Sequence, residues 1–126
     1  MKKLLALTIS LLLLTGCAPA AEQTVCNIAV VPQVWSDELN DSIGDYVKDR
    51  AHLNVYQTMV DEADSKYQVL LVEDLIAMEV DAICLDPIDE QAMEPMLQKA
   101  EDAGVLVFTG EELLPLIDLA EAELFR

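Results

Sequence analysis

Basic residues are scarce in this chain. It has 7 Lys and Arg against 24 Asp and Glu, which gives a formal net charge of −17 at pH 7. A surface of this sign repels phosphate, so the composition excludes a nucleic-acid-binding protein. It also excludes peripheral binding to anionic lipid, because such binding depends on clusters of Lys and Arg. We interpret the acidity as that of a well-solvated surface.

Glycine and histidine are also few, with four glycines and one histidine. The first β-rich segment runs into Pro32 and Gln33, so it carries neither a dinucleotide turn nor a phosphate-binding loop. We predict that His52 is a surface residue. No zinc spacing or nucleophile elbow occurs, and the acidic residues 61–64 lack the EF-hand pattern. The sequence therefore predicts a protein that is not an enzyme and that uses no cofactor and no metal.

The N-terminus carries the longest apolar run, residues 4–14, directly after Lys2 and Lys3. This run is too short to span a bilayer and has the length of a signal-peptide core. Residues 14–17, Leu-Thr-Gly-Cys, resemble the lipobox of bacterial lipoproteins. We predict a signal peptide over residues 1–16, a lipid on Cys17 and a tether over residues 17–25. The protein would then be exported and anchored to a membrane of the bacterial cell envelope through Cys17. The alternative is an ordinary signal peptide with an unmodified cysteine.

From residue 26 onward, short β-rich runs alternate with longer amphipathic segments. We predict strands over residues 26–31, 54–58, 80–85 and 105–109. The first two predicted helices follow a cap, Ser36 or Asp37 for a helix that reaches residue 51 and Asp64 or Ser65 for a helix that reaches residue 78. The other two run from 94 to 103, with Pro95 at the first position, and from 111 to 125. This alternation predicts one domain over residues 26–126, an α/β three-layer sandwich of Rossmann-like type around a parallel sheet. Ligands of such sheets lie beyond the carboxyl ends of the strands.

Two cysteines remain beside Cys17. Cys26 begins one predicted strand and Cys84 nearly ends a neighbouring one, so in a parallel pair they lie too far apart for a disulfide. We predict that both are small buried residues.

Four segments carry a resemblance to a known family, namely residues 28–32, 68–76, 80–89 and 99–105. Together they resemble the N-terminal lobe of periplasmic sugar-binding proteins, the type 1 substrate-binding proteins of ABC importers, in the ribose- and autoinducer-2-binding group. The resemblance covers about residues 26–107. It implies a sugar or sugar-like ligand and an importer permease as partner. It also implies, with right-handed crossovers, the strand order second, first, third, fourth.

The chain departs from the family at several points. It ends where a member would still have the rest of the first lobe and all of the second, so we expect a truncated lobe. After the fourth strand, family members usually have an Asp that binds sugar hydroxyls, whereas this chain has residues 109–112, Thr-Gly-Glu-Glu. The tail from Glu111 onward resembles nothing that we recognise.

The candidate ligand-binding residues follow the first and third strands: Trp35, Ser36, Asp37, Asn40 and Asp86. Trp35 could stack on a sugar ring or only cover the sheet end. Asp37 could bond hydroxyl groups or only cap a helix, and Asp86 could contact ligand or only hold a turn.

Two functions compete at this stage. One is a solute-binding lipoprotein that delivers a sugar to an importer. The other is a remnant or a lipid-tethered interaction module that binds no solute of its own.

Overall fold

The computed structural model describes residues 25–126 apart from residues 59 and 61. The predicted signal peptide, Cys17 and most of the predicted tether lie outside the described residues. Four strands alternate with four helices, in the order β1 Cys26–Val31, α1 Asp37–Val47, β2 Leu53–Gln57, α2 Ser65–Ala77, β3 Ala82–Leu85, α3 Glu90–Ala103, β4 Leu106–Thr109 and α4 Leu113–Leu124.

The strands form one parallel sheet in the order β2-β1-β3-β4. The predicted fold class and strand order are therefore confirmed. Because β1 and β3 lie inside the sheet, they are buried on both faces, and residues 28–31 and 82–85 are fully shielded from solvent. Near-continuous apolar runs are what such central parallel strands require.

Helices cover both faces of the sheet. One core cluster joins α1 and α4 to Ile28, Val30 and Cys84, and a second joins α2 and α3 to the alternate residues Val31 and Ile83. The alternation arises because successive side chains of a strand point to opposite faces. The result is the three-layer sandwich expected from the sequence.

Three of the four helices in the described residues begin at a capping side chain, whereas Glu112 before α4 makes no such hydrogen bond. Ser36 accepts a hydrogen bond from the Leu39 N–H, Asp64 accepts from Lys66 and Tyr67, and Asp89 accepts from Ala92. Side-chain oxygens at these positions satisfy donors that the first helical turn leaves free. At the other end of α3, Gly104 has φ 79°, a left-handed conformation that glycine adopts without strain.

The predicted start of α3 is wrong. The helix begins at Glu90 and not at residue 94, so Pro95 lies inside it. Proline removes the N–H that would bond to the Gln91 carbonyl. Gln91 is exposed, so water reaches that carbonyl, and the cap at Asp89 decides where the helix starts.

The two cysteines are buried, as predicted. Cys26 pairs with Leu53, whereas Cys84 pairs with Val30, which places the cysteines four residues out of register on neighbouring strands. Burial raises the pKa of the Cys84 thiol to about 12. The pKa of Cys26 is also raised, by burial and by the charge of Asp81. Both thiols are therefore poorly reactive at neutral pH.

Two carboxylates of α4, Asp118 and Glu121, lie within hydrogen-bond distance of the Tyr46 hydroxyl, and Glu121 also binds two further side chains near the amino ends of the strands. Glu121 accepts hydrogen bonds from the Tyr46 hydroxyl at 2.8 Å and Arg50 Nε at 3.3 Å, and its second oxygen lies 2.6 Å from His52 Nε2. The His52 ring also packs edge-on against Phe125, with centroids 4.9 Å apart. His52 is thus partly exposed, but it belongs to a network that joins three segments of the chain.

Within the described residues, no helix is both long enough and apolar enough to cross a membrane. Nor does that part of the chain gather three or more His, Cys, Asp or Glu side chains in a group that could hold a metal ion.

Candidate functional site: a cleft at the carboxyl ends of the strands

The chain segments that leave β1, β3 and β4 meet at one edge of the sheet. The Asp86 N–H donates to the Val31 carbonyl and the Gly110 N–H donates to the Leu85 carbonyl, both at 3.0 Å. These bonds continue the strand ladders past the strand ends. They therefore hold Asp86 beside the end of β1 and Gly110 beside the end of β3.

A cleft of about 760 Å³ opens at this edge, between the strand ends and the start of α3. We call it the strand-end cleft. Its polar lining comes from Gln33, Asp86, Glu90, Glu94, Thr109 and Glu111. α/β domains of this type bind ligands beyond the carboxyl ends of their parallel strands.

Two glutamine side chains hold the floor of the cleft. Gln33 Nε2 donates to Asp86 Oδ1 at 3.3 Å and to the Pro87 carbonyl at 3.1 Å. Gln68, which is 3% exposed, donates to the Asp86 carbonyl at 2.9 Å and accepts from the Ile88 N–H at 3.0 Å. Its amide also lies 3.4 Å from the Pro32 carbonyl. One buried amide therefore joins α2 to the loops that follow β1 and β3.

The charge of the cleft is negative. Partial burial raises the pKa of Asp86, the hydrogen bond from Gln33 lowers it, and the charge of Glu111 raises it again. The net pKa stands above its usual value. Asp86 and Glu111, which follow neighbouring strands, are thus within electrostatic reach of each other.

Of the five predicted site residues, Asp86 lines the cleft and the other four do not. Trp35 is half-buried and packs against the core cluster of α1 and α4, and no described residue accepts a hydrogen bond from its buried indole N–H. Ser36 is the N-cap of α1, and Asp37 is exposed in its first turn. Asn40 is half-buried one turn into the same helix. A ligand-binding role for these four residues stays a prediction.

Sequence reasoning missed Gln33 and Gln68. Gln33 lies in the loop that follows β1, where its presence only excluded a glycine-rich turn. A signal for Gln68 does exist, because it lies four residues before Val72 and eight before Ile76. A polar residue on the inner stripe of a helix is expected to have buried partners.

A parallel sheet between two helical layers, with a polar cleft beyond its strand ends, defines a ligand-binding domain of the α/β class. Residues 28–117 match the model of the periplasmic binding protein domain family. The chain belongs to this family, whose members are solute-binding proteins and not enzymes, and membership implies an exported, periplasmic protein. The match extends past residue 107 and ends inside α4, so residues 111–117 of the tail belong to the family domain.

Three proteins that are similar to this chain illustrate the family. The chain is 30% identical, over 99% of its length, to a putative rhizopine-binding protein of Rhizobium meliloti, of which it covers 40%. A stretch of 47 residues, 37% of the chain, is 43% identical to the D-ribose/D-allose-binding protein of Pseudomonas aeruginosa, of which it covers 15%. A solved periplasmic solute-binding protein of an ABC transporter from Actinobacillus succinogenes, with bound D-allose, superposes with a TM-score of 0.54 at 29% identity. That alignment covers 65% of this chain and 29% of the solved one. The chain therefore spans well under half of the length of these relatives.

Proposed function

We propose that this chain is the solute-binding lipoprotein of an ABC-type sugar importer, or the part of such a lipoprotein that contains the strand-end cleft. The observation that carries the proposal is the strand-end cleft itself, in which Asp86 and Gln33 lie at the ends of β3 and β1. The solved relative that holds D-allose and the relative named for D-ribose and D-allose support a sugar as ligand. The proposed partners are the importer permease and, through the lipid on Cys17, a membrane of the cell envelope.

The chemistry of the cleft suits hydroxyl groups. A carboxylate accepts hydrogen bonds from two neighbouring hydroxyls, and an amide such as that of Gln33 both donates and accepts. The half-buried side chain of Leu97 on the same wall offers an apolar surface to the C–H face of a sugar ring. Binding of this kind holds the ligand in one orientation and does not change it chemically.

We expect the affinity for a simple sugar to be low. The glutamates of the cleft, Glu90, Glu94 and Glu111, are exposed, so a ligand held by the described residues keeps much of its surface in water. Each net hydrogen bond contributes only about 0.5–1.5 kcal/mol, and a few of them barely offset the immobilisation of the ligand. The expected dissociation constant for D-ribose or D-allose is no tighter than about 1 mM.

An NMR titration of the full chain in a mild detergent tests this expectation. D-ribose and D-allose should shift the amides of Asp86 and Gly110, and Asp86→Ala should remove the saturable shift. Asp74→Ala is the matched control, because Asp74 is exposed on α2 and outside the cleft. A saturable shift that survives Asp86→Ala would contradict the site. No saturable shift with any sugar would favour the alternative, a lipid-tethered module without solute binding. Trp35→Ala in the same titration decides whether Trp35 belongs to the site.

Lipidation of Cys17 has its own test. In a bacterial host, metabolic labelling with an alkyne palmitate analogue should tag the wild-type chain, and Cys17→Ala should lose the tag completely. Cys26→Ala is the control, since that thiol is buried in β1 and should play no part in acylation. A tag that persists in Cys17→Ala would refute the lipoprotein prediction.

A further inference from the structure

β4 is an edge strand whose outer side is open. The Leu106 N–H donates to the Asp81 carbonyl at 3.2 Å, so the main chain of Leu106 faces β3. The main-chain groups of alternate residues in a parallel strand point to opposite sides. The N–H and C=O groups of Val107 and Thr109 therefore point away from β3, and no other strand of the described chain pairs with them.

The side chains of β4 are also incompletely covered. Leu106 and Phe108 pack against the core cluster of α1 and α4, and Val107 packs against the cluster of α2 and α3, but all three are only half-buried. A groove of about 420 Å³ lies beside the strand, and Leu97 of α3 belongs to its lining. A fifth strand alongside β4 would cover apolar side chains on both faces of the sheet, so its own side chains have to be apolar on both faces.

The two edges of the sheet differ in polarity. β2, at the opposite edge, has the exposed polar side chains of Asn54 and Gln57. Residues 103–110, which include β4, contain no charged residue and no proline, although 25% of the chain is charged. Charges and prolines at an edge prevent unintended pairing with other chains. Their absence from this segment is expected of an edge that pairs with a partner.

Acidic side chains lie at both ends of the β4 edge. Glu101 and Asp102 come before it, in the last turn of α3, and both are exposed. Glu111 and Glu112 come directly after it and are exposed too. The lining of the groove includes Glu101 but no Lys or Arg, and the C-terminus of α3 adds a negative partial charge. A strand with basic residues at both ends is therefore complementary to this edge in either direction.

We propose that the outer edge of β4 binds an extended segment of a partner protein, with an apolar centre and Lys or Arg at both ends. The segment adds a fifth strand to the sheet, and the open main-chain groups of Val107 and Thr109 form hydrogen bonds with it. Strand addition of this kind takes its affinity from main-chain hydrogen bonds and its specificity from side chains. The inference goes beyond the proposed function and does not require sugar binding.

A dye-labelled peptide with four central Val and Ile residues and two Lys at each end is the probe. Fluorescence anisotropy with the full chain in a mild detergent should show saturable binding. A peptide of the same charge with two central prolines cannot form a strand and should bind at least about tenfold more weakly. A peptide with Glu in place of Lys should be weakened by a similar factor.

Two outcomes of this titration would overturn the proposal. One is the absence of saturable binding by the strand-forming peptide. The other is equal binding of the proline peptide, which would mean unspecific attraction by a chain with a net charge of −17.

Amide hydrogen exchange shows whether the peptide lies on β4. In the free chain, the amides of Val107 and Thr109 should exchange much faster than that of Leu106, which bonds to β3. At saturation, the strand-forming peptide should slow the exchange of Val107 and Thr109 by about tenfold or more. Binding that leaves both amides unprotected would place the peptide elsewhere and overturn the proposal. Protection that increases with protein concentration in the absence of peptide would mean that a second copy covers the edge, which would overturn the basic partner.

Two matched variants test the charge of the edge. Glu101→Lys reverses an exposed charge in the groove lining and should weaken binding of the Lys-ended peptide by about threefold or more. Asp45→Lys makes the same reversal on the exposed side of α1, which packs beside β2 at the opposite edge, and should leave the affinity nearly unchanged. Equal weakening in both variants would overturn the assignment of the basic ends to this edge.

Discussion

Replacement of Gln68 by alanine is expected to lower the free energy of unfolding by about 2–4 kcal/mol. The variant would leave the Ile88 N–H and the Asp86 carbonyl without their partner in a partly buried place, and it would leave a cavity under both loops. Urea unfolding followed by circular dichroism measures the loss. The control is Gln98→Ala on the exposed face of α3, where a change within about 0.5 kcal/mol is expected.

Gln68→Met separates the hydrogen bonds from the volume. Methionine fills a similar space without a donor or acceptor, so most of the loss should remain. A methionine variant as stable as wild type would mean that the amide contributes only packing. Because Gln68 holds the main chain at Asp86, the methionine variant should also weaken any sugar binding.

Ile117→Ala is the second variant with a large expected effect, a loss of about 3 kcal/mol in the free energy of unfolding. Ile117 is fully buried in α4 and belongs to the same core cluster as Ile28 and Cys84. Removing its branched side chain leaves a cavity that the sheet cannot close. Urea unfolding gives the value here too.

Leu119→Ala is the matched control in the same helix. Leu119 is 54% exposed, so its truncation should change the free energy of unfolding by less than about 0.5 kcal/mol. Similar small losses for both variants would show that α4 contributes little to the core, contrary to its packing.

Local signals account for what could be predicted. The run of residues 26–31 predicted β1 with correct ends, since a strand buried on both faces needs a continuous apolar run and Pro32 ends it. Ser36 and Asp64 were both recognised as possible caps, and both are caps. The strand order followed from handedness together with the family resemblance. These features depend on residues close in sequence or on rules that hold for every parallel sheet.

The errors have physical reasons. The start of α3 was misplaced because Pro95 was given more weight than the cap at Asp89, although an exposed helix turn tolerates the missing N–H. Gln68 on the buried side of α2 was missed because a polar side chain is buried only where it finds partners. Those partners come from loops far away along the chain.

The candidate site could be predicted only in part. Asp86 was found because a polar residue that follows a buried strand comes to the ligand-binding edge. Gln33 and Glu111, which lie near Asp86, follow other strands. Their proximity depends on the register of the sheet, which cannot be deduced from one sequence. The attachment of α4 through Glu121 is of the same kind, since Tyr46, Arg50 and His52 all lie far away along the chain.

The position of β1 in the middle of the sheet has a consequence for how the chain is made and exported. β1 is the first strand of the domain to be synthesised, yet Ile28 faces Val55 on one side and Ala82 on the other. β2 can cover one edge of β1, but until β3 has been synthesised the other hydrogen-bonding edge of this apolar strand stays exposed to other nascent chains. Long-range pairing of this type is slow to form and prone to aggregation. An exported protein passes through the membrane unfolded and must form these pairings after export, so β1 is a segment that a chaperone would protect until both of its neighbours are in place.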